Sequence, residues 1–203
     1  MRIGIDVDNV LRDTLKQVIK VGIEKGAYKE LKKADFKSYN IFRHVPLNES
    51  YESFFKSNAE ELFYNANPLQ YSNYVNKLGQ DGHEVVIVTS QYRGLESLTL
   101  DWLKKNKIKY DEIDFTFNKS KIKLDILVDD YPSNLKSLDS SVIPVIYTQP
   151  YNLTYHRADY RTKNMKHFVE EIMPEIETKE AFKDKWFMKQ LYNEVYDRMV
   201  KDE

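Results

Sequence analysis

The chain has 203 residues, 41% apolar and 31% charged, with a formal net charge of −1. That size suits one domain with a sizeable core plus an insertion, and the near-neutral charge argues against extended nucleic-acid binding. The absence of cysteine excludes a disulfide framework and a thiolate metal site and fits a reducing, cytoplasmic setting, and neither a secretory leader nor an apolar run of ~18 residues is expected.

The first eleven residues open on an apolar strand, with Ile3 and Ile5 leading into Asp6 and Asp8 at its end. Two carboxylates at the end of a buried strand repel each other and resist desolvation. Either Asp-x-Asp-Asn is a plain turn, or a divalent cation and a phosphate sit there. Leu11, Leu15, Val18, Ile19 and Ile23 then recur at helical spacing, with Gly26 as a stop. From Ala27 to Asn67 short helical pieces carry many aromatics, among them Tyr28, Phe36, Tyr39, Phe42, Tyr51, Phe54, Phe55, Phe63 and Tyr64. Pro46 with Asn48 marks a break between two of these pieces. The aromatics read as a small satellite core, a few of them available to stack on a flat ligand.

Regular alternation follows. Asn67 and Pro68 predict a helix start, with Tyr71, Tyr74, Val75 and Leu78 on one face. Glu84 to Thr89 predicts a buried strand. Leu95, Leu98, Trp102 and Leu103 mark a helix, and Ile113 to Phe117 a third strand. Leu124 to Val128 is a fourth, ending at Asp129 and Asp130. Val142 to Tyr147 is a last strand, which Pro144 places at an edge. Phe182, Trp186, Leu191, Val195 and Met199 share one side of a C-terminal helix. Docking on the chain's own core is the favoured role for that side, and a homodimer contact is the alternative.

Strands alternating with helices predict an α/β fold, a Rossmann-like parallel sheet with helices on both faces. Ligands of such sheets bind at the carboxyl ends of the strands. Asp6, Asp8, Thr89, Ser90, Asp129 and Asp130 all fall at those ends, and Lys119 is within reach of them. An all-oxygen carboxylate set suits Mg²⁺ sharing its site with a substrate phosphate. Lys121 and Lys123 fit a solvated surface. His44, His83, His156 and His167 show no metal spacing.

These residues resemble the haloacid dehalogenase superfamily of phosphotransferases. Ile3-Gly-Ile-Asp-Val-Asp-Asn-Val-Leu11 resembles its first motif and Val86-Ile-Val-Thr-Ser90 its second. Lys119 stands where the third motif's lysine belongs, and Ile126-Leu-Val-Asp-Asp130 resembles the fourth. Within the superfamily the chain is most similar to the 5′(3′)-deoxyribonucleotidases, through Asn118 to Asp130, Leu11-Arg-Asp13 and Gln149-Pro-Tyr-Asn152. Those enzymes place an aromatic residue just after the position of Asp13, where this chain has Thr14.

The resemblance implies a core of residues 1–14 and 68–173, a helical cap over 15–67 and a C-terminal helical extension over 174–203. It implies a Mg²⁺-dependent phosphomonoesterase acting on a small phosphomonoester, most specifically a (deoxy)nucleoside monophosphate. Asp6 would be the nucleophile, forming an aspartyl-phosphate, and Asp8 the acid–base. Asp6, Asp129 and the backbone carbonyl of Asp8 would hold the metal, with Asp130 acting behind them. Thr89, Ser90 and Lys119 would bind the phosphoryl oxygens. A sugar phosphate or polynucleotide end as substrate, and a binding protein without turnover, are the alternatives.

Overall fold

The computed structural model describes residues 1–26, 32–37 and 50–201. Six strands form one sheet in the order β3-β2-β1-β4-β5-β6. They are β1 Arg2–Ile5, β2 Glu84–Thr89, β3 Glu112–Phe115, β4 Ile126–Asp129, β5 Ile143–Tyr147 and β6 Tyr160–Thr162. Every neighbouring pair is parallel. The helices are α1 Thr14–Glu24, α2 Tyr51–Ser57, α3 Val75–Gln80, α4 Glu96–Lys105, α5 Pro132–Lys136, α6 Met165–His167 and α7 Met173–Lys201. A π-helical stretch, Phe168–Ile172, joins the last two.

The central strands are unbroken apolar runs because both sheet faces are covered. Ile3, Ile5, Val85, Ile87, Ile126 and Val128 enter one core with Val75 and Leu78 of α3, Trp102 and Leu103 of α4, and Ile176 of α7. Their alternates Val86, Val88 and Leu127 enter the other, with Leu135 of α5. The expected α/β sheet with helices on both faces is therefore the observed one. A separate cluster joins Val18 and Val21 of α1 to Phe54 of α2 and to Leu62 and Phe63 of a second π-helical stretch, Glu60–Tyr64. Among the described residues no helix is long and apolar enough to cross a membrane.

Several expectations are corrected. Pro144 is not on an edge strand, because β5 lies between β4 and β6. Its missing N–H is tolerated because β6 pairs only with Val145 to Tyr147, so Pro144 lies beyond the end of that ladder. β6 itself, three residues long, gave no periodic signal. Asn67 and Pro68 do not open a helix; α3 begins at Val75, and Tyr71 adopts a left-handed conformation before it. The segment is instead stitched to the loop after β1: Asp13 N–H donates to the Asn67 carbonyl at 2.9 Å and Leu69 N–H to the Leu11 carbonyl at 2.8 Å. α7 docks through Met173 and Ile176, whereas Phe182 and Trp186 are 67% and 64% exposed rather than packed on the core. Tyr28, Tyr39, Phe42, His44, Pro46 and Asn48 lie outside the described residues.

Candidate active site

The strand order reverses between β1 and β4, which makes their carboxyl ends the switch point of the sheet, where ligands of such folds bind. Asp6 follows β1 there, its N–H donating to the Val128 carbonyl at 3.0 Å. Asp129 is the last residue of β4. The loop beyond Asp6 is tight: Asn9 adopts a left-handed conformation, which asparagine tolerates, and the Val7 carbonyl accepts from the N–H groups of Val10, Leu11 and Arg12. The Asn9 side chain accepts from Leu15 N–H at 2.8 Å, tying the loop to α1.

Lys119 lies in a 3₁₀ turn, Lys119–Lys121, beyond β3. It is 2% exposed, and its ammonium reaches Asp6 Oδ1 and Asp129 Oδ2, each at 2.7 Å. Asp129 also accepts from Asn134 Nδ2 at 2.9 Å and, on its other oxygen, from Tyr131 N–H at 2.7 Å. Asp130 is buried beside them and accepts from the Tyr151 hydroxyl. Tyr151 and Asn152 belong to the 3₁₀ turn Pro150–Asn152, and Asn152 donates to the Asp130 carbonyl at 2.8 Å. Gln149, just before it, donates to the Asn9 carbonyl at 2.6 Å. The segment after β5 thus braces both ends of the site.

Ionised together, three buried carboxylates would carry two negative charges beyond the one that the Lys119 ammonium balances. Burial pushes the Asp6 carboxyl up to about 7, with Asp129 and Asp8 adding to the rise and Lys119 opposing it. Burial likewise raises Asp130 well above the usual carboxylate range, with Asp129 and Asp6 contributing. Burial by itself would lower the Lys119 ammonium, but the two aspartates overcome that and raise it. Carboxylate oxygens of Asp6, Asp129 and Asp130 lie within 4.8 Å of one another. An all-oxygen set with this charge excess fits a hard divalent cation.

Thr89 ends β2, and its buried hydroxyl has no hydrogen-bond partner among the described residues. Such a group costs about 1–3 kcal/mol unless something accepts from it. Ser90 donates its hydroxyl proton to the Thr116 carbonyl at 2.8 Å, fastening the loops after β2 and β3. Asp8 stands apart from the carboxylate cluster. Its Oδ1 accepts from Arg12, at 2.8 Å from Nη2 and 3.1 Å from Nε, and from the Thr14 hydroxyl.

Arg12 lies inside the Leu11-Arg-Asp13 segment, which by itself gives it no task. The signal was there in its position four residues after Asp8, the spacing of a local ion pair. Asn134, Thr99 and Gln91 carried no signal, because their partners lie on other elements.

The solved structures that resemble this chain share its layout. A haloacid dehalogenase-like family hydrolase from Streptococcus pneumoniae superposes with a TM-score of 0.58, at 15% identity over 83% of this chain and 96% of that one. A β-phosphoglucomutase from Clostridium difficile gives 0.53, at 12% identity over 89% and 98%. At these identities the likeness is one of fold, and the fold is that of the haloacid dehalogenase-type hydrolases. In sequence, a 5′(3′)-deoxyribonucleotidase of Bacillus subtilis (strain 168) is 28% identical over 160 residues, 76% of this chain and 89% of the relative, and one from Bacillus phage SPbeta matches equally. The profile of the family described as 5′ nucleotidase, deoxy (Pyrimidine), cytosolic type C protein matches residues 1–179, and the chain belongs to that family. It is a phosphatase.

Proposed function

We propose that the protein is a Mg²⁺-dependent phosphomonoesterase that acts through an aspartyl-phosphate on Asp6, with deoxynucleoside monophosphates as substrates. The Asp6 carboxylate, within 2.7 Å of Lys119 at the switch point, carries this reading. Asp6 attacks phosphorus, and the ester bond to the leaving oxygen breaks. Asp8 gives that oxygen its proton, then takes one from the water that hydrolyses the acyl phosphate. An ammonium has three donors, of which Lys119 uses one on each aspartate. The third is available to a phosphoryl oxygen, as is the Thr89 hydroxyl, with Ser90 holding the loop between them. Asp6, Asp129 and the Asp8 backbone carbonyl would hold Mg²⁺, with Asp130 acting through those ligands. When bound, the ion supplies the charge that offsets repulsion between carboxylate and phosphate.

The family and its Bacillus relatives support a nucleotide as substrate. So does an aromatic row: Phe63 stacks on Phe55 at 5.9 Å, Phe55 meets Tyr92 at 6.2 Å, and Tyr92 meets Phe117 at 6.2 Å. Phe117 is 69% exposed, two residues before Lys119, where a flat base could stack. Residues 15–67 would act as a cap that excludes water and selects the substrate. Replacing them with a short linker should change substrate preference, and an unchanged preference would remove that role.

Thr14 favours a second reading. Its hydroxyl faces Asp8, so the position offers no ring to a base, and a sugar phosphate would need none. Phosphate release from deoxynucleotides, ribonucleotides, sugar phosphates and 5′-phosphorylated oligonucleotides, with and without Mg²⁺, separates the readings. Release should be fastest from deoxynucleoside monophosphates and should stop in chelator. Turnover of sugar phosphates alone would overturn the nucleotide assignment.

A further inference from the structure

We propose that Arg12 is a positioning residue for Asp8: it selects which carboxyl oxygen handles the proton and ties that choice to the chain returning from residues 15–67. The inference rests on the acid–base role proposed above for Asp8. Arg12 is fully buried. An arginine in such a place costs several kcal/mol unless its donors are met. They are met in a divided way. Nε and Nη2 both point at one oxygen of Asp8, Oδ1, at 3.1 and 2.8 Å, instead of forking across the two. Nη1 donates to the Phe63 carbonyl at 3.0 Å and to Thr99 Oγ1 at 3.1 Å. The guanidinium carbon lies 4.9 Å from the centre of the Phe63 ring and 5.4 Å from that of Trp102.

The Thr14 hydroxyl adds a third donor on the same Asp8 oxygen. Among the described residues no hydrogen bond falls on Oδ2. An oxygen that already accepts three donors is a poor place for a proton, so the proton that is transferred rides on Oδ2. The planar guanidinium holds the carboxyl plane as well, since a rotation of Asp8 would break two bonds at once.

The other half of the guanidinium reaches the returning chain. Phe63 belongs to the π-helical stretch before that return, and Trp102 Nε1 donates to the Ala66 carbonyl at 2.7 Å. Backbone pairing of Asp13 with Asn67 and of Leu69 with Leu11 closes the same seam. Thr99 passes its own proton to Gln91, next to Ser90 on the loop after β2. A shift of Phe63 would therefore move the donors that hold Asp8.

The test compares formation of the aspartyl-phosphate, by rapid quench, from a deoxynucleoside monophosphate and from nitrophenyl phosphate. The first has a leaving group that needs a proton, and the second leaves without one. Arg12→Met should lose about 10- to 100-fold more on the nucleotide than on the nitrophenyl ester, a share of the ~10²–10⁴ that general-acid catalysis is worth. The double variant with Asp8→Asn should lose no more of that step than Asp8→Asn alone. Thermal unfolding checks the fold of each variant. If Arg12→Met does not fold, Arg12→Lys takes its place, keeping the buried charge without the two-donor grip; the same selective loss is expected, reduced in size. Equal losses on both substrates, or an additive double variant, would overturn the role of Arg12 while Asp8→Asn still discriminates between the esters. If Asp8→Asn itself does not discriminate, the acid–base role of Asp8 fails first and this inference falls with it.

Discussion

The Lys119 ammonium lies 2.7 Å from Asp129 Oδ2, both side chains buried. Ten positions of sequence separate them, but β3 and β4 end at the same sheet edge with β1 and β2 between them. The lysine turn reaches across those two strands. Lys119 is the cation that makes a cluster of buried carboxylates tolerable.

Replacing it should therefore harm both stability and turnover. Lys119→Met leaves Asp6, Asp129 and Asp130 together without their ammonium. Breaking one side of a buried ionic group typically costs ~3–5 kcal/mol, and losing a donor aimed at developing charge costs ~10²–10³ in rate. Urea unfolding in chelator and kcat in saturating Mg²⁺ measure the two effects. A variant as stable and as active as the parent would show that the lysine is a bystander.

The carboxyl of Asp6 predicts a pH-dependent response to metal. Held at about 7 against an ordinary value of 3.8, it keeps a proton in the folded protein that the unfolded chain releases. In chelator, the stability linked to this group is complete below the ordinary value and falls as pH rises toward 7. Mg²⁺ competes with that proton, so it should raise the melting temperature more at pH 8 than at pH 5.5. Asp129→Ala should abolish most of the rise at pH 8. Differential scanning fluorimetry at the two pH values is sufficient, and a shift independent of pH would count against Asp6 as a ligand.

Asp6→Asn should abolish formation of the phosphoenzyme on every substrate, nitrophenyl phosphate included, because an amide is a poor nucleophile whatever the leaving group. Mass spectrometry of acid-quenched enzyme reads the covalent adduct. An adduct that persists on another residue would move the nucleophile away from β1.

Phe117, exposed beside Tyr92, should contribute to base binding. Base–aromatic stacking is worth ~1–3 kcal/mol, so Phe117→Ala should raise KM for deoxynucleotides several-fold or more and leave kcat in place. KM for deoxyribose 5-phosphate, which has no base, should not move. A matching rise for the sugar phosphate would mean that the substitution disturbs the Lys119 turn instead.

Trp102 is fully buried and donates to the Ala66 carbonyl. Trp102→Phe keeps an aromatic face for Arg12 but strands that carbonyl. A loss of ~1–3 kcal/mol in urea unfolding is expected, and no loss would show that the carbonyl finds another partner.

The sequence by itself determined the class of fold and the residues that gather at its edge. Two apolar β-runs that end in aspartate pairs, a third that ends in Thr-Ser and a lysine ten positions before Asp129 are local patterns. The parallel α/β layout carries those strand ends to one edge by a general rule. Local pattern could not decide what depends on a distant partner. β6 is too short to show a period, and Pro144 reads as an edge residue only when the length of its neighbour is unknown. Asn67 and Pro68 look like a helix start because the segment's real partners are more than fifty residues away, Asp13 for Asn67 and Leu11 for Leu69. The pairing of Arg12 with Asp8 is local, but its burial is decided only where Phe63, Thr99 and Trp102 close around it. Only the tertiary structure decided these points, because a buried polar group takes its role from its hydrogen-bond partners, and those are set by chain return and packing, not by neighbours in sequence.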